Sequence, residues 1–512
     1  MNTTTLQLRN LLNRPFRRLA FLLIPLACFA LSPQMRATCQ QGCLTNDNTV
    51  LGDDALFSLT TGYDNTAIGF NALYFNTTGY LNMANGYQAL FSNTTGYLNT
   101  ANGYLALSSN TTGCCNTANG GFALLSNTTG FSNTATGEEA LQGNTTGSGN
   151  TATGERGLYN NTTGSSNTAT GVDALAFNKT GNYDTATGNA SLFMNTAGNY
   201  NTANGISALS SNRTGSNNTA DGALALSSNT ADNNTATGFQ ALSGNTLGNN
   251  NTANGANAMF SNTSGLNNTA TGVDALHNST TGNYCTATGQ GSLYSNTTGR
   301  NNTAHGQNAM RNNITGSFNV ALGDNAGFNL TTGSNNIEIG NRGVVGEANT
   351  IRIGKQGTQT AAFIAGVNGA TVPTGVAVIV DSSGHLGTTT SSARYKEAIK
   401  PMDKASEAIL ALKPVTFRYK QELDPAGIPQ FGLVAEEVEK VNPNLVARDA
   451  DGKAYTVRYE AVNAMLLNEF LKARRQIDAQ QKQIDALTAG LRKVSAQLEL
   501  SKSAPQTVLN NH

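Results

Sequence analysis

Ser391 and Lys396 stand five positions apart in "TTTSSARYKEAIKPM", residues 388–402. A serine hydroxyl is a weak nucleophile until a base takes its proton, and a lysine can be that base only where burial lowers its pKa. The pair thus has the residue types for acyl transfer: attack on a carbonyl, an ester intermediate, then hydrolysis. Spacing alone does not join them, because residues five apart share no face of a helix or of a strand. Either the chain bends between them, or the two come from different subunits, or Ser391 or Ser392 caps a helix while Lys396 stays solvated.

The elements that would position this pair meet at a compositional break. Before Thr390 the chain is dominated by Asn, Thr and Gly; after it comes more than half of the charge of a molecule with 31 basic and 31 acidic residues. The 512 residues include 55 Gly and no Trp, which is not the profile of an ordinary globular enzyme. Residues 47–333 hold only scattered basic side chains, among them Arg156, Lys179 and Arg213. No basic stripe is available for nucleic acid or an anionic membrane.

Residues 1–37 read as a signal peptide, with Arg9, Arg14, Arg17 and Arg18 ahead of a short apolar run from Leu19 and candidate cleavage near Ala30 or Ala37. The run is short for a membrane span, so the expectation is export, to the medium or the cell surface, without a membrane anchor. Cys39 and Cys43 are a candidate bridge within or between chains, Cys114 and Cys115 are adjacent, and Cys285 is alone. His277, His305, His385 and His512 are scattered, with no cysteine at ligand spacing, so neither a zinc site nor any other metal or cofactor is expected.

After a linker at 38–47, residues 48–340 repeat a unit close to "GYQALFSNTTGYLNTAN". One glycine recurs every 17 residues from Gly52 to Gly222, slips by one residue to Gly238, and resumes to Gly340. An "AL" pair supplies Leu73, Leu90 and their equivalents, and a second apolar row runs from Ala67 to Ala321. Gly and Asn at this density exclude a helical repeat and fit two turns per unit, since both tolerate positive φ. The fold class is therefore mainly β: a β-solenoid, or β-roll, shaft with Asn and Thr ladders about 4.8 Å apart along the stack. One Leu and one Ala per coil make a thin core, which association between copies would supplement. The recurrent "NTT" triplets match the glycosylation acceptor but fit turn and ladder chemistry better. Aromatic columns (Tyr63, Tyr80, Tyr97; Phe70, Tyr87, Tyr104) are either packing or a glycan-binding stripe.

Residues 341–390 read as a neck with short strands at 350–353, 361–365 and 376–380. From Ser391 the chain reads as an α+β domain to 462, with a helix over Asp403–Leu412 whose face is Ala405, Ile409 and Leu412. "VTFRY" and "YTVRY" are strands, and "VAEEVEKV" is a helix ending near Pro443. Residues 463–500 carry heptads, with Phe470, Ile477, Ile484, Leu491 and Leu498 at one core position and Leu466, Ala473, Gln480, Leu487 and Val494 at the other, followed by a disordered tail at 501–512.

"SSARYKEAI", "FGLVAEEVEKVNPNLV" and "YEAVNAMLLNEF" together resemble the intramolecular chaperone auto-processing domain of phage tail-spike endosialidases and of myelin regulatory factor. The repeats resemble the heads of trimeric autotransporter adhesins. The first resemblance implies a domain that assembles the upstream fibre as a homotrimer and then cuts itself off. It casts Ser391 as nucleophile, Lys396 as general base and Arg394 as a recurrent basic residue, with Thr390–Ser391 the scissile bond. Ser392 departs from the family's frequent Asp and is a second candidate nucleophile. The implied protein is an exported homotrimeric fibre or adhesin-like surface protein, with a surface glycan or host receptor as partner and a single-turnover self-cleaving peptidase at its end. Its rivals are a polysaccharide-degrading tail spike and a fibre that does not cleave.

Overall fold

The computed structural model describes residues 40–502 except 45, 368, 369, 371, 382 and 450; the proposed signal peptide, Cys39 and most of the tail lie outside them. The chain divides into two units, residues 1–355 and 356–512. The first contains a 20-stranded sheet whose strands are parallel throughout, apart from the first pairing. From Thr66–Ile68 to Ile351–Ile353 each coil contributes one three-residue strand, paired one-to-one with the next, as in Thr134↔Thr151 and Ala135↔Ala152. Strand spacing gives the solenoid a length of roughly 85 Å.

The local sequence explains the coil. In Thr134–Thr136 the outer two side chains are exposed and Ala135 is buried, the in–out alternation of a strand. Ala fits there because the interior is narrow. In most coils the core also takes the Ala before the Leu, so Ala72 and Leu73 are both fully buried, giving two Ala per coil rather than one.

Most of the remaining interior is amide. One column of buried asparagines runs up the strand side: Asn65 Nδ2 donates to Asn48 Oδ1 at 2.9 Å and to Gly79 O at 2.9 Å, while Asn65 Oδ1 accepts from the backbone N and the Nδ2 of Asn82, each at 3.0 Å. A second column runs up the turn side, where Asn93 Nδ2 donates to Asn76 Oδ1 at 2.8 Å and to Gly96 O at 3.0 Å. Gly79 O also accepts from Asn76 at 3.0 Å, so each such carbonyl ties the two columns together. Leaving these buried groups unpaired would cost about 1–3 kcal/mol apiece. The ladder satisfies most of them, leaving Asn212, Asn262 and Asn313 Oδ1 without a partner, and so the interior is not the thin Leu–Ala core that composition predicts. The first Asn of each "NTT" triplet in this column is fully buried, which makes these triplets ladder and turn elements.

Positive φ is not confined to Gly and Asn. Asn71, Leu73 and Leu81 are all left-handed in one coil, at φ 58°, 54° and 56°. Such a conformation costs a leucine about 1–2 kcal/mol. It persists because Leu73 is fully buried and its amide donates to Ala89 O at 3.0 Å. Neither glycine row has room for a Cβ, which at Gly69 would lie 2.5 Å from Gly86 O and at Gly79 2.3 Å from Asn76 Oδ1; Gly69 is in addition held at φ 125°.

The one-residue slip is absorbed in a turn. In the shortened coil Ala231 O replaces the glycine carbonyl, accepting from Asn218 and Asn229 at 2.8 Å each, and the strands stay in register as Thr219↔Thr235. At the N-terminal edge the strand Gln40–Leu44, placed in the linker by the sequence, pairs antiparallel with Asn48–Gly52 and covers the open edge. At the other end Ile351–Ile353, placed in the neck, pairs with Ile337–Ile339 as one more parallel rung. There Glu338 replaces the strand alanine and is fully buried, and Arg352 Nε lies 2.8 Å from Glu347 Oε2.

In the second unit residues 361–365 form no strand, and Val378–Val380 pairs antiparallel with Leu386–Thr388. Asp403–Ala411 is a 3₁₀ helix, and its inward residues are Ser406, Ile409 and Leu412, while Ala405 is exposed. A three-residue turn aligns positions three apart, which suits this spacing. Helix α1 (Ala435–Val441) and the hairpin of Val446–Arg448 with Ala454–Val457 complete a small core around Val438, Leu445, Val457 and Met465. Helix α2 is one continuous element, Tyr459–Lys502. Among the described residues no helix is long and apolar enough to cross a membrane.

Candidate functional site

The candidate residues lie together where the second unit's compact part begins. Thr390 and Ser391 follow the Leu386–Thr388 strand in irregular chain, and Ser392 precedes a 3₁₀ turn, Ala393–Tyr395. That turn is held by Tyr395 N donating to Ser392 O at 3.1 Å and Lys396 N donating to Ala393 O at 3.0 Å. It supplies the bend that a five-residue spacing requires. Ser392 occupies the cap position with φ −64° and ψ 139°, yet its hydroxyl makes no capping bond.

Thr390, Ser391, Ser392, Arg394 and Lys396 are all exposed. The Arg394 guanidinium lies over the Tyr395 ring, 4.8 Å from its centroid. Lys396 is thus open to solvent in the single chain.

A different serine and lysine are within reach of each other. Ser406 Oγ is 3.4 Å from Lys472 Nζ, accepts from Asn468 Nδ2 at 2.7 Å and donates to Glu469 Oε1. Lys472 Nζ is 2.7 Å from Glu469 Oε1 and 3.6 Å from Glu407 Oε1. Hydrogen bonding to Glu469 holds the Lys472 ammonium above its ordinary pKa, and Lys472 and Ser406 hold the Glu469 carboxyl below the usual range. A lysine kept protonated cannot take the serine's proton, so this network braces the 3₁₀ segment against α2. Sequence gave no signal for it, since its halves lie more than 60 residues apart.

In the shaft, three acidic groups stand out. Arg156 bridges Asp173 at 3.3 Å and Glu139 at 4.0 Å in adjacent coils. Asp184 sits inside the asparagine column, and burial pushes its carboxyl up to about 7. Burial, with Glu347 nearby, pushes Glu338 up to about 8, but a fully buried carboxyl cannot reach a glycosidic oxygen. In the aromatic columns Tyr80 and Tyr97 stack at 4.9 Å with 2° between their planes. Among the described residues no group of three His, Cys, Asp or Glu could hold a metal ion.

A solenoid joined to a small α+β unit is thus the setting of the Ser391–Lys396 segment. Residues 391–447 match the family described as chaperone of endosialidase, and the match begins at Ser391 itself. No curated protein and no solved structure matches the chain.

Proposed function

We propose that this chain is an exported homotrimeric fibre, displayed at a surface or carried as a phage-like tail fibre, whose C-terminal part drives trimer assembly and then cleaves the Thr390–Ser391 bond. The observation that carries this reading is the chaperone-of-endosialidase match from Ser391, placed after a solenoid of uniform coils. Exposed apolar side chains on α2, Ile477, Ile484, Leu491 and Leu498 among them, support self-association. In this mechanism assembly buries Lys396 against a neighbouring copy and lowers its pKa. Ser391 Oγ then gives its proton to Lys396 Nζ and attacks the Thr390 carbonyl; the Thr390 C–Ser391 N bond breaks, and Lys396 returns the proton to the departing Ser391 amine. The resulting ester is hydrolysed by water. Arg394 borders the reacting bond, and Ser392 is the alternative nucleophile. Any glycan or receptor would be met by the exterior of the shaft.

The test is expression of wild type beside Ser391→Ala, Ser392→Ala and Lys396→Ala, read on denaturing gels with N-terminal sequencing of the released fragment. The expected result is a fragment starting at Ser391 from wild type and none from Ser391→Ala or Lys396→Ala. A wild-type chain that is trimeric yet stays full length would overturn the peptidase and leave the chaperone.

A further inference from the structure

Cys114 and Cys115 are adjacent free thiols at the shaft surface, Cys115 exposed and Cys114 half-buried. Their backbone is fixed from both sides: Cys115 N donates to Tyr97 O, and Cys114 O accepts from Ser132 N, each at 3.0 Å. Among the described residues no other cysteine can reach them. Cys285 is buried ten coils away, roughly 48 Å along the stack, and Cys43 lies at least four strand spacings away, about 19 Å. A disulfide needs Cα atoms within about 7 Å. Bonding the two to each other within a chain would close a ring through a single peptide unit and strain its planar trans geometry.

Their surroundings are a second, separate observation. Cys114 occupies the repeat position of Tyr63, Tyr80 and Tyr97 before it and Phe131 after it, and Cys115 that of Leu81 and Leu98. Tyr63, Leu81, Leu98 and Phe131 are exposed at 44%, 45%, 49% and 53%, so the thiols sit within an apolar strip on the shaft surface. In the following coils Ser148 with Gly149 and Ser165 with Ser166 interrupt the strip, before Tyr183 and Tyr200 resume it in the column of Cys115. Exposed apolar side chains also stand elsewhere on the shaft, as at Phe57, Tyr104 and Ile206, and this strip is set apart by the two free thiols within it.

We propose that these two cysteines join neighbouring copies of this chain, Cys114 of each copy bonding Cys115 of the partner subunit. The inference rests on the homotrimer proposed above. In a cyclic threefold assembly each copy then gives one sulfur to each neighbour, and the ring of interchain bonds closes with no thiol left over. Two adjacent cysteines per chain meet that requirement; one per chain would leave a thiol unpaired.

Each bond forms by thiol–disulfide exchange with an oxidised low-molecular-weight disulfide. One cysteine thiolate attacks that disulfide, forming a mixed disulfide and releasing one small thiol. The neighbouring copy's thiolate then attacks the mixed disulfide and releases the second. Two protein thiols are oxidised to one disulfide, one small disulfide is reduced to two thiols, and the two protons leave with them.

The test uses the full chain with Cys28, Cys39 and Cys43 changed to Ser. It is incubated with oxidised glutathione, alkylated, and run on denaturing gels without reductant, while light scattering gives the native mass in reductant. The expected result is a trimeric native mass and a covalent trimer band that collapses with reductant. Cys114→Ser and Cys115→Ser should each lose that band while keeping the trimeric native mass. A native trimer whose oxidised chains still run singly, with both thiols alkylated or paired within a chain, would overturn the inference and leave the trimer standing. A monomeric native mass would instead overturn the trimer reading on which it rests.

Discussion

Asn195 Nδ2 donates to Asp184 Oδ2 at 3.0 Å, and Asp184 Oδ1 accepts from the backbone N and the Nδ2 of Asn201 at 2.8 and 3.1 Å. Asp184 thus acts as an asparagine in a column of asparagines, but it lacks the Nδ2 that its equivalents donate to a glycine carbonyl and to the coil before. Burial outweighs the accepted hydrogen bonds and moves its carboxyl from 3.8 to about 7. An acid whose folded pKa lies above its unfolded value costs nothing below both, a growing amount between them, and the full amount above the folded value. Asp184→Asn should therefore stabilise the shaft by on the order of 4 kcal/mol at pH 8.5 and much less at pH 4. Thermal unfolding followed by circular dichroism at the two pH values checks this, and an equal gain at both would show that the carboxyl does not titrate on unfolding.

The turn glycines should be intolerant for a reason of contact rather than of dihedral angle. A Cβ on Gly79 would lie 2.3 Å from Asn76 Oδ1 and 2.4 Å from Gly96 O, whereas one on Gly121 would meet nothing within 4 Å. Gly79→Ala breaks the point where the two columns share a carbonyl and should cost about 3 kcal/mol. Gly121→Ala should be neutral or stabilise by up to about 1 kcal/mol. Comparing unfolding midpoints of the two variants in the full chain tests the distinction.

The period, the strands and the buried Ala and Leu rows were legible because one coil is one repeat, so a fixed column in the sequence is a fixed place in the solenoid. Which asparagines point inward was not legible. Asn65 and Asn76 read as turn residues, and only the stacking of coils shows that both are buried and share the carbonyl of Gly79. The left-handed Leu73 was hidden for the same reason, since propensity assigns positive φ to Gly and Asn and the neighbouring coils override it. In the second unit the spacing of Ser391 and Lys396 left a bend, a pair drawn from two subunits and a helix cap open. The partners of Ser406 were not foreseeable, because helix α2 returns to it from far along the chain.

Ser406 is fully buried with four polar neighbours, so Ser406→Ala should destabilise the second unit by about 1–3 kcal/mol. The lowered carboxyl of Glu469 adds stability that is present above the ordinary carboxylate pKa and is lost as pH falls through the lowered value. The raised ammonium of Lys472 adds stability that is present below the ordinary lysine pKa and is lost as pH rises through the raised value. The brace is therefore intact across neutral pH and weakens at both extremes. Denaturant titration checks the loss. Fragment release should proceed in Ser406→Ala as in wild type, because the network holds a segment and takes no part in the proposed cut.

The surroundings of helix α2 change along its length. Its first turns pack Ala461, Val462 and Met465 onto the core that includes Ile409 and Leu412. Beyond them Phe470, Ile477, Ile484, Leu487, Leu491, Val494 and Leu498 are all exposed in the single chain. At about 1.5 Å per residue the element is roughly 66 Å long, more than docking on so small a core requires. A seven-residue apolar row on such a helix is stable when a second copy of the row covers it, and a charge placed in the covered row must be buried unpaired. The paired change Ile484→Asp and Leu491→Asp should therefore abolish the trimer at micromolar chain concentration. Ala489→Asp, on the opposite face, should leave it intact. Light scattering on the full-length variants decides this, and an Ile484→Asp, Leu491→Asp chain that stayed trimeric would place the assembly contact elsewhere than this row.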